Sequence, residues 1–438
     1  MKRPIAILTV LCLLFGLALP CLAAGITSAP TPTGTAELLF TRKLGNGYRN
    51  APTPIAAGDG VLYVAAGKNF YKLDAATGET LASVPMESVS TYTAVPPLLV
   101  DDTVYMPLDD GLIQAFSAED LTPLWTYTDP LGGQSLTPIV YEDGCLYTGF
   151  WNGETEEANF VCLPAEGSGE QKALWTFSHA GGFYRTAPLL VGNYLIVGSD
   201  NGQRVDRPEA PSALYALHKR TGRQVSSLAT AGDLRAGVGY DETTGACYTV
   251  SKAGILYRFL VNPATGALSG LTSAALPGGS TVTPIPRNGR LYTAGANGRK
   301  GVFSVRDPAT LAVICAAELP GPPQGDMLLS TAYEADGGRV LLYATYNAPP
   351  GGVCVMEDAP GRTEITAAEL FTPPEGMSQY CFCPLTADAR GRLYYKNDSG
   401  NIFGLDASPE GKQAFSLLEQ LLRLLERLLA FLKGLTAV

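Results

Sequence analysis

The sequence predicts an all-β fold: an eight-bladed β-propeller of four-stranded antiparallel blades, closed by an N-terminal strand and followed by a C-terminal amphipathic α-helix. Three observations predict it. One unit returns eight times between Pro54 and Asp406. Each copy holds a small apolar strand, a Gly/Asp/Asn turn, an aromatic-bearing strand, a polar turn and a third strand, and most copies turn again into a fourth. A period of roughly 40–50 residues with four strands per unit is that of propeller blades. Finally, glycine (49) and proline (32) are plentiful and 46% of the residues are hydrophobic, as turn-rich β structure around a large core requires.

From the N-terminus, Lys2-Arg3 precede an apolar run over residues 5–19, and Cys21-Leu22-Ala23-Ala24 offers small residues for cleavage. Residues 1–24 therefore read as a secretory signal peptide, which places the protein outside the cell or in its envelope. Proline 20 beside Cys21 suits lipidation poorly, so cleavage is favoured over a lipid tether. Residues 25–35 read as a linker and residues 36–408 as the propeller.

First strands begin at Pro54, Pro97, Pro138, Pro188, Val238, Pro284, Ala332 and Pro384. Turns such as Asp59-Gly60, Asp143-Gly144 and Asn288-Gly289 follow them and supply positive φ at little cost. Second strands carry an aromatic, as in Leu62-Tyr63-Val64 and Leu393-Tyr394-Tyr395. The eighth copy ends near Ser408 without a fourth strand, and residues 37–42 resemble the fourth strand of blade 2 at residues 123–127. An N-terminal strand completing blade 8 would pair both open edges and fasten the ring. Seven blades is the competing count.

Residues 409–438 read as a helix, with apolar groups at most positions of 413–435 and a narrow stripe of Ser416, Glu419, Gln420, Arg423, Glu426, Arg427 and Lys433. Its charges make a membrane-spanning helix expensive. The apolar arc must be covered by a membrane surface, a second copy of the chain, or the propeller itself.

The net charge of −10, with no basic block, argues against nucleic acid as a partner. Two histidines, His179 and His218, are thin material for imidazole chemistry. Past the leader, seven cysteines remain, an odd number that argues against a complete disulfide framework. Cys145 and Cys162 flank one hairpin and could pair across it. Cys381-x-Cys383 lacks a second ligand pair at zinc spacing, so buried apolar thiols are expected and no metal is assigned.

The repeat resembles the PQQ-like (quinoprotein-type) propeller unit. The resemblance rests on the turns from Asp74 to Gly78 and from Asn262 to Gly266, the Thr221-Gly222 variant, and the Leu-Trp pairs at Trp125 and Trp175. It extends over nearly all of residues 36–406, although the turns at Ser117 and Asp307 lack the glycine. That family includes dehydrogenases dependent on pyrroloquinoline quinone and also non-enzymatic members, such as the lipoprotein scaffold of the outer-membrane assembly machine. The dehydrogenase reading implies calcium-anchored PQQ and a carboxylate base. Its disulfide between adjacent cysteines is missing, since Phe382 separates Cys381 from Cys383, and so is the haem-attachment motif Cys-x-x-Cys-His. The expected function is therefore a non-catalytic scaffold that takes no cofactor and binds a protein or glycan at the cell surface. The alternative is a PQQ-dependent dehydrogenase or another propeller enzyme.

In a propeller, the loops leading into first strands and those joining second to third strands share one face. The ligand candidates on that face are Arg49, Tyr92, Trp151, Tyr184, Arg185, Arg207, Arg235 and Tyr380. Arg185 and Arg235 hold equivalent places in blades 4 and 5. Arginine offers forked donors and tyrosine a stacking face, which suits anionic, sugar-like or peptide ligands. The competing expectation is that these side chains plug the channel mouth or bind neighbouring blades.

Overall fold

The computed structural model describes residues 25–47, 50–90, 95–203 and 211–407. They form eight antiparallel four-stranded sheets, two of which carry a fifth, parallel strand. Blades 1 to 7 occupy residues 56–85, 98–128, 140–180, 189–231, 239–275, 285–319 and 328–371, and blade 8 begins at residue 386. Its fourth strand is Ala36–Lys43, antiparallel to Asn401–Ala407, with Glu37 opposite Asp406 and Lys43 opposite Asn401. The ring thus has eight blades and closes by the N-terminal strand that the sequence predicts. The signal peptide and the C-terminal helix lie outside the described residues, and among the described residues no helix is long and apolar enough to cross a membrane.

Burial follows position within the blade. Second strands such as Val61–Ala66 and Val340–Thr345 are almost wholly buried, packed by neighbours on both faces. The fourth strand of blade 6, Val313–Leu319, largely alternates exposed and buried residues, as the period of two dictates for a sheet with one wet face.

Four of the second-strand tyrosines tie neighbouring blades together. Tyr63 donates its hydroxyl to Ala118 O of blade 2 at 2.7 Å, and Tyr105 to Ala165 O of blade 3 at 3.1 Å. Tyr248 reaches Pro308 O of blade 6 at 3.0 Å, and Tyr394 reaches Ala75 O of blade 1 at 2.8 Å. Each bond ties one blade to the turn before the fourth strand of the next, and is worth about 1 kcal/mol net. The turn glycines serve the same seam. Gly78 (φ 70°) and Gly222 (φ 66°) lie so close to Phe40 and Trp175 that a Cβ would come within 2.4 Å of the ring. Only glycine fits both the left-handed backbone and the contact.

Residues 25–35 are not a free linker. Gly25–Thr27 pairs in parallel with the innermost strand of blade 7, and Ala29, Thr31 and Pro32 are buried. The seven described cysteines are free thiols. Cys145 stands opposite Pro164 and Cys162 opposite Tyr147, so the two thiols are offset across their hairpin and form no disulfide.

Candidate functional site

The face predicted to bind a ligand has two distinct regions. In the first, the loops of blades 3, 4 and 5 bring Trp151, Tyr184 and Arg235 together. An isolated bridge between Gln134 and Trp151 joins the loop leading into blade 3 to the loop after its second strand, confirming that these loops share a face. Trp151 and Tyr184 meet edge to face at 5.3 Å, and the Arg235 guanidinium lies 4.3 Å from the centre of the Tyr184 ring.

That guanidinium is buried and paired with two carboxylates. Its Nε donates to both oxygens of Asp200 at 2.9 and 3.0 Å, and one terminal nitrogen donates to both oxygens of Glu154 at 3.0 and 2.8 Å. Asp233 stands 3.7 Å away and is also 3.7 Å from Lys252 Nζ. Three carboxylates from three blades therefore converge on two cations. Burial pushes the Asp200 carboxyl up to about 7 against the pull of Arg235, and Asp233 and Glu154 add to the rise. For Arg235 burial opposes the charge, but Asp200 and Glu154 outweigh it and raise its pKa above the ordinary arginine value.

The second region is the channel mouth. Arg185 donates to the backbone oxygen of Gln324, in the loop leading into blade 7, and at 3.5 Å to that of Phe382, in the loop leading into blade 8. It thus reaches from blade 4 to the far side of the ring. Thr281 of the loop leading into blade 6 donates to the same Gln324 oxygen at 3.0 Å. Below them Asp326 accepts from Thr283 N at 2.7 Å, and burial pushes its carboxyl up. Beside Phe382, the fully buried Lys396 sits 4.7 Å from that ring and 3.5 Å from Asp398. The neighbouring Cys381 and Cys383 are buried with raised pKa values, which makes them inert rather than nucleophilic.

Of the predicted residues, the structure joins Trp151, Tyr184 and Arg235, and sends Arg185 elsewhere. Tyr380 is half exposed beyond the channel mouth, its backbone oxygen receiving Asp398 N. Arg49, Tyr92 and Arg207 lie outside the described residues. Glu154, Asp200, Asp233 and Lys252 were missed from sequence. Each is one ordinary surface-type charge in its own loop, and only the ring geometry assembles them. Leu131, at 44% exposure, was missed too, and its backbone oxygen accepts from Asn152 beside Trp151 at 3.1 Å.

The fold is an eight-bladed β-propeller, and part of its repeat is similar to the PQQ-like unit. More particularly, a family model described as outer membrane protein assembly factor BamB matches residues 39–154. Among solved structures, BamB from Moraxella catarrhalis superposes with a TM-score of 0.55 at 13% identity, over 85% of this chain and 100% of that one. Quinohemoprotein alcohol dehydrogenase from Comamonas testosteroni gives 0.58 at 14% identity, over 84% and 76%. The C-terminal WD40 domain of Sif2 gives 0.60 at 8% identity, over 86% and 99%. Among curated protein sequences none matches this chain. Such low identities establish the architecture and leave the function to the site.

The site does not fit a calcium-anchored quinone. Glu154, Asp200 and Asp233 present oxygens within 4.8 Å of one another, close enough to hold a divalent cation. The guanidinium of Arg235 already stands among them with near-ideal hydrogen bonds to two of the three. A metal there would have to expel a buried, doubly paired arginine.

Proposed function

We propose that this protein is a non-catalytic propeller scaffold of the cell envelope that binds a protein partner on the face carrying Leu131, Trp151, Tyr184 and Tyr380. The observation that supports this reading most is the contrast on that face between charges and apolar groups. Its strongest charges, Arg185 and Arg235, are consumed by internal partners, whereas Leu131 and Tyr380 stand exposed and Trp151 and Tyr184 half-exposed. The Trp151 indole nitrogen is turned inward, so this residue offers a partner the exposed part of its ring rather than a donor. Aromatic anchors with one polar tip, surrounded by neutralised charge, are the composition of protein-docking surfaces rather than of acid–base catalysis. The likeness to BamB, an assembly factor, supports protein binding in general.

A photoreactive amino acid at position 184 or 380, expressed in cells with native envelope, tests it. A discrete crosslinked protein should appear from both positions, and disappear from position 184 when Trp151 and Leu131 are both changed to alanine. Crosslinking equally strong from Leu271 on the outer rim would refute a dedicated face. A glycan partner would instead appear as sugar-dependent protection of Tyr184 from labelling with no protein adduct.

A further inference from the structure

The junction between blades 7 and 8 is built differently from the others. At most other junctions a second-strand tyrosine finds its acceptor in the turn before the fourth strand of the next blade, as Tyr63 does at Ala118 and Tyr394 at Ala75, while Tyr292 of blade 6 donates instead to the Asp358 carboxylate of blade 7. Among the described residues blade 8 has no such turn, because its fourth strand is the N-terminal segment Ala36–Lys43. Tyr343 of blade 7 therefore faces a vacancy in the repeat. Residues 25–32 fill it. The Tyr343 hydroxyl lies 2.7 Å from Pro32 O, to which it donates, and 2.8 Å from the Thr31 hydroxyl.

The rest of the segment is held by a continuous set of contacts. Gly25, Ile26 and Thr27 pair in parallel with Leu328, Leu329 and Ser330. Thr27 O accepts from Thr331 N at 2.8 Å, Ala29 O from Ser330 Oγ at 3.1 Å, and Thr31 O from the Tyr333 hydroxyl at 2.7 Å. Ile26 packs against the core between blades 6 and 7. Opposite, Gly391 (φ 83°) lets the chain pass so closely that a Cβ there would fall 2.3 Å from Pro30 O. Pro30 and Pro32 have no N–H to leave unpaired and hold the chain extended, which lowers the cost of ordering it. This is peptide recognition by strand addition, with pockets for alternate side chains, performed on the chain's own terminus. The exposed residues Thr33, Gly34 and Thr35 then separate the segment from the strand that closes blade 8.

We propose that the inner edge of blade 7, with Tyr333, Tyr343 and Gly391, is a peptide-binding groove for an extended segment of the pattern Ile-Thr-x-Ala-Pro-Thr-Pro, occupied here by residues 26–32 of the same chain. Tethering through residues 33–35 gives the chain's own copy a high effective concentration. A free peptide therefore gains access only when that copy is removed or displaced.

In the full chain, hydrogen exchange should show amides of residues 26–31 opening at least tenfold faster than those of Val340–Thr345, and Gly391→Val should accelerate the first set alone. Exchange of both sets together, in either protein, would make the segment an inseparable part of the ring and overturn the proposal. In a chain lacking residues 25–33, a fluorescent peptide of those residues should bind at least tenfold more tightly than to the full chain. The same peptide with Ile26→Asp should lose at least tenfold in affinity. A truncated chain that melts cooperatively yet binds the native peptide no better than a scrambled one would overturn it equally. If the truncated chain fails to fold, the exchange experiment on the full chain decides.

Discussion

Arg185 and Arg235 occupy the same station in successive blades, yet they serve opposite ends of the molecule's architecture. Arg235 binds Asp200 and Glu154, 35 and 81 residues away, and knits blades 3, 4 and 5. Arg185 binds carbonyls 139 and 197 residues away and ties blade 4 to the loops of blades 7 and 8 across the channel. The local difference is in the backbone: Arg185 has φ of 60°, a left-handed conformation rare for a residue with a Cβ, and Arg235 does not share it. A repeat determines where a residue stands; the departures of its neighbours determine what it meets.

The comparison predicts unequal losses. Arg235→Ala strands Asp200 and Glu154 without their cation, and should lower unfolding free energy in urea by about 3–5 kcal/mol. Arg185→Ala leaves neutral carbonyls that water can reach at the channel mouth, and should cost roughly 1.5–3 kcal/mol by the same measurement. Equal losses would mean that the two arginines are energetically alike and that the acidic cluster is well solvated.

A third prediction sharpens the electrostatic half. The folded pKa of Asp200, about 7, lies above its unfolded value, so folding favours the protonated acid. Its contribution to stability is complete below the unfolded pKa, near 4, and is lost as pH rises through 7. Asp200→Asn should flatten the decline in stability over that interval by up to about 1.4 kcal/mol per pH unit. An unchanged pH profile would place the unusual titration elsewhere in the cluster. The smallest effect concerns the seams: Tyr63→Phe and Tyr343→Phe should each cost about 1 kcal/mol in chemical denaturation. Similar values would show that residues 31–32 replace a blade turn in energy as well as in position.

The architecture was legible because hairpin turns, second-strand aromatics and period are local properties that recur. The closing strand at residues 36–43 could be found by its likeness to residues 123–127. The inner strand at residues 25–27 could not, since Gly-Ile-Thr followed by alternating prolines has the composition of a linker and becomes a strand only through blade 7. The site was legible as a face but not as a set of partners. Trp151, Tyr184 and Arg235 come together as their loops suggested, but the acids that neutralise Arg235 come from three blades, and no spacing between them is regular. Cys145 and Cys162 teach the same lesson within one hairpin, where the strand register offsets two thiols that sequence distance alone would pair.

The central claim is that Arg235 completes the Glu154, Asp200 and Asp233 cluster and that this face serves docking rather than cofactor chemistry. Thermal unfolding of the full chain with calcium, with and without PQQ, tests it most directly. The melting temperature should stay within about a degree of the untreated protein under both conditions, since a ligand stabilises only in proportion to its binding. A calcium-dependent rise that is enlarged by PQQ and abolished by Asp233→Asn would contradict the account and make the cluster a cofactor site.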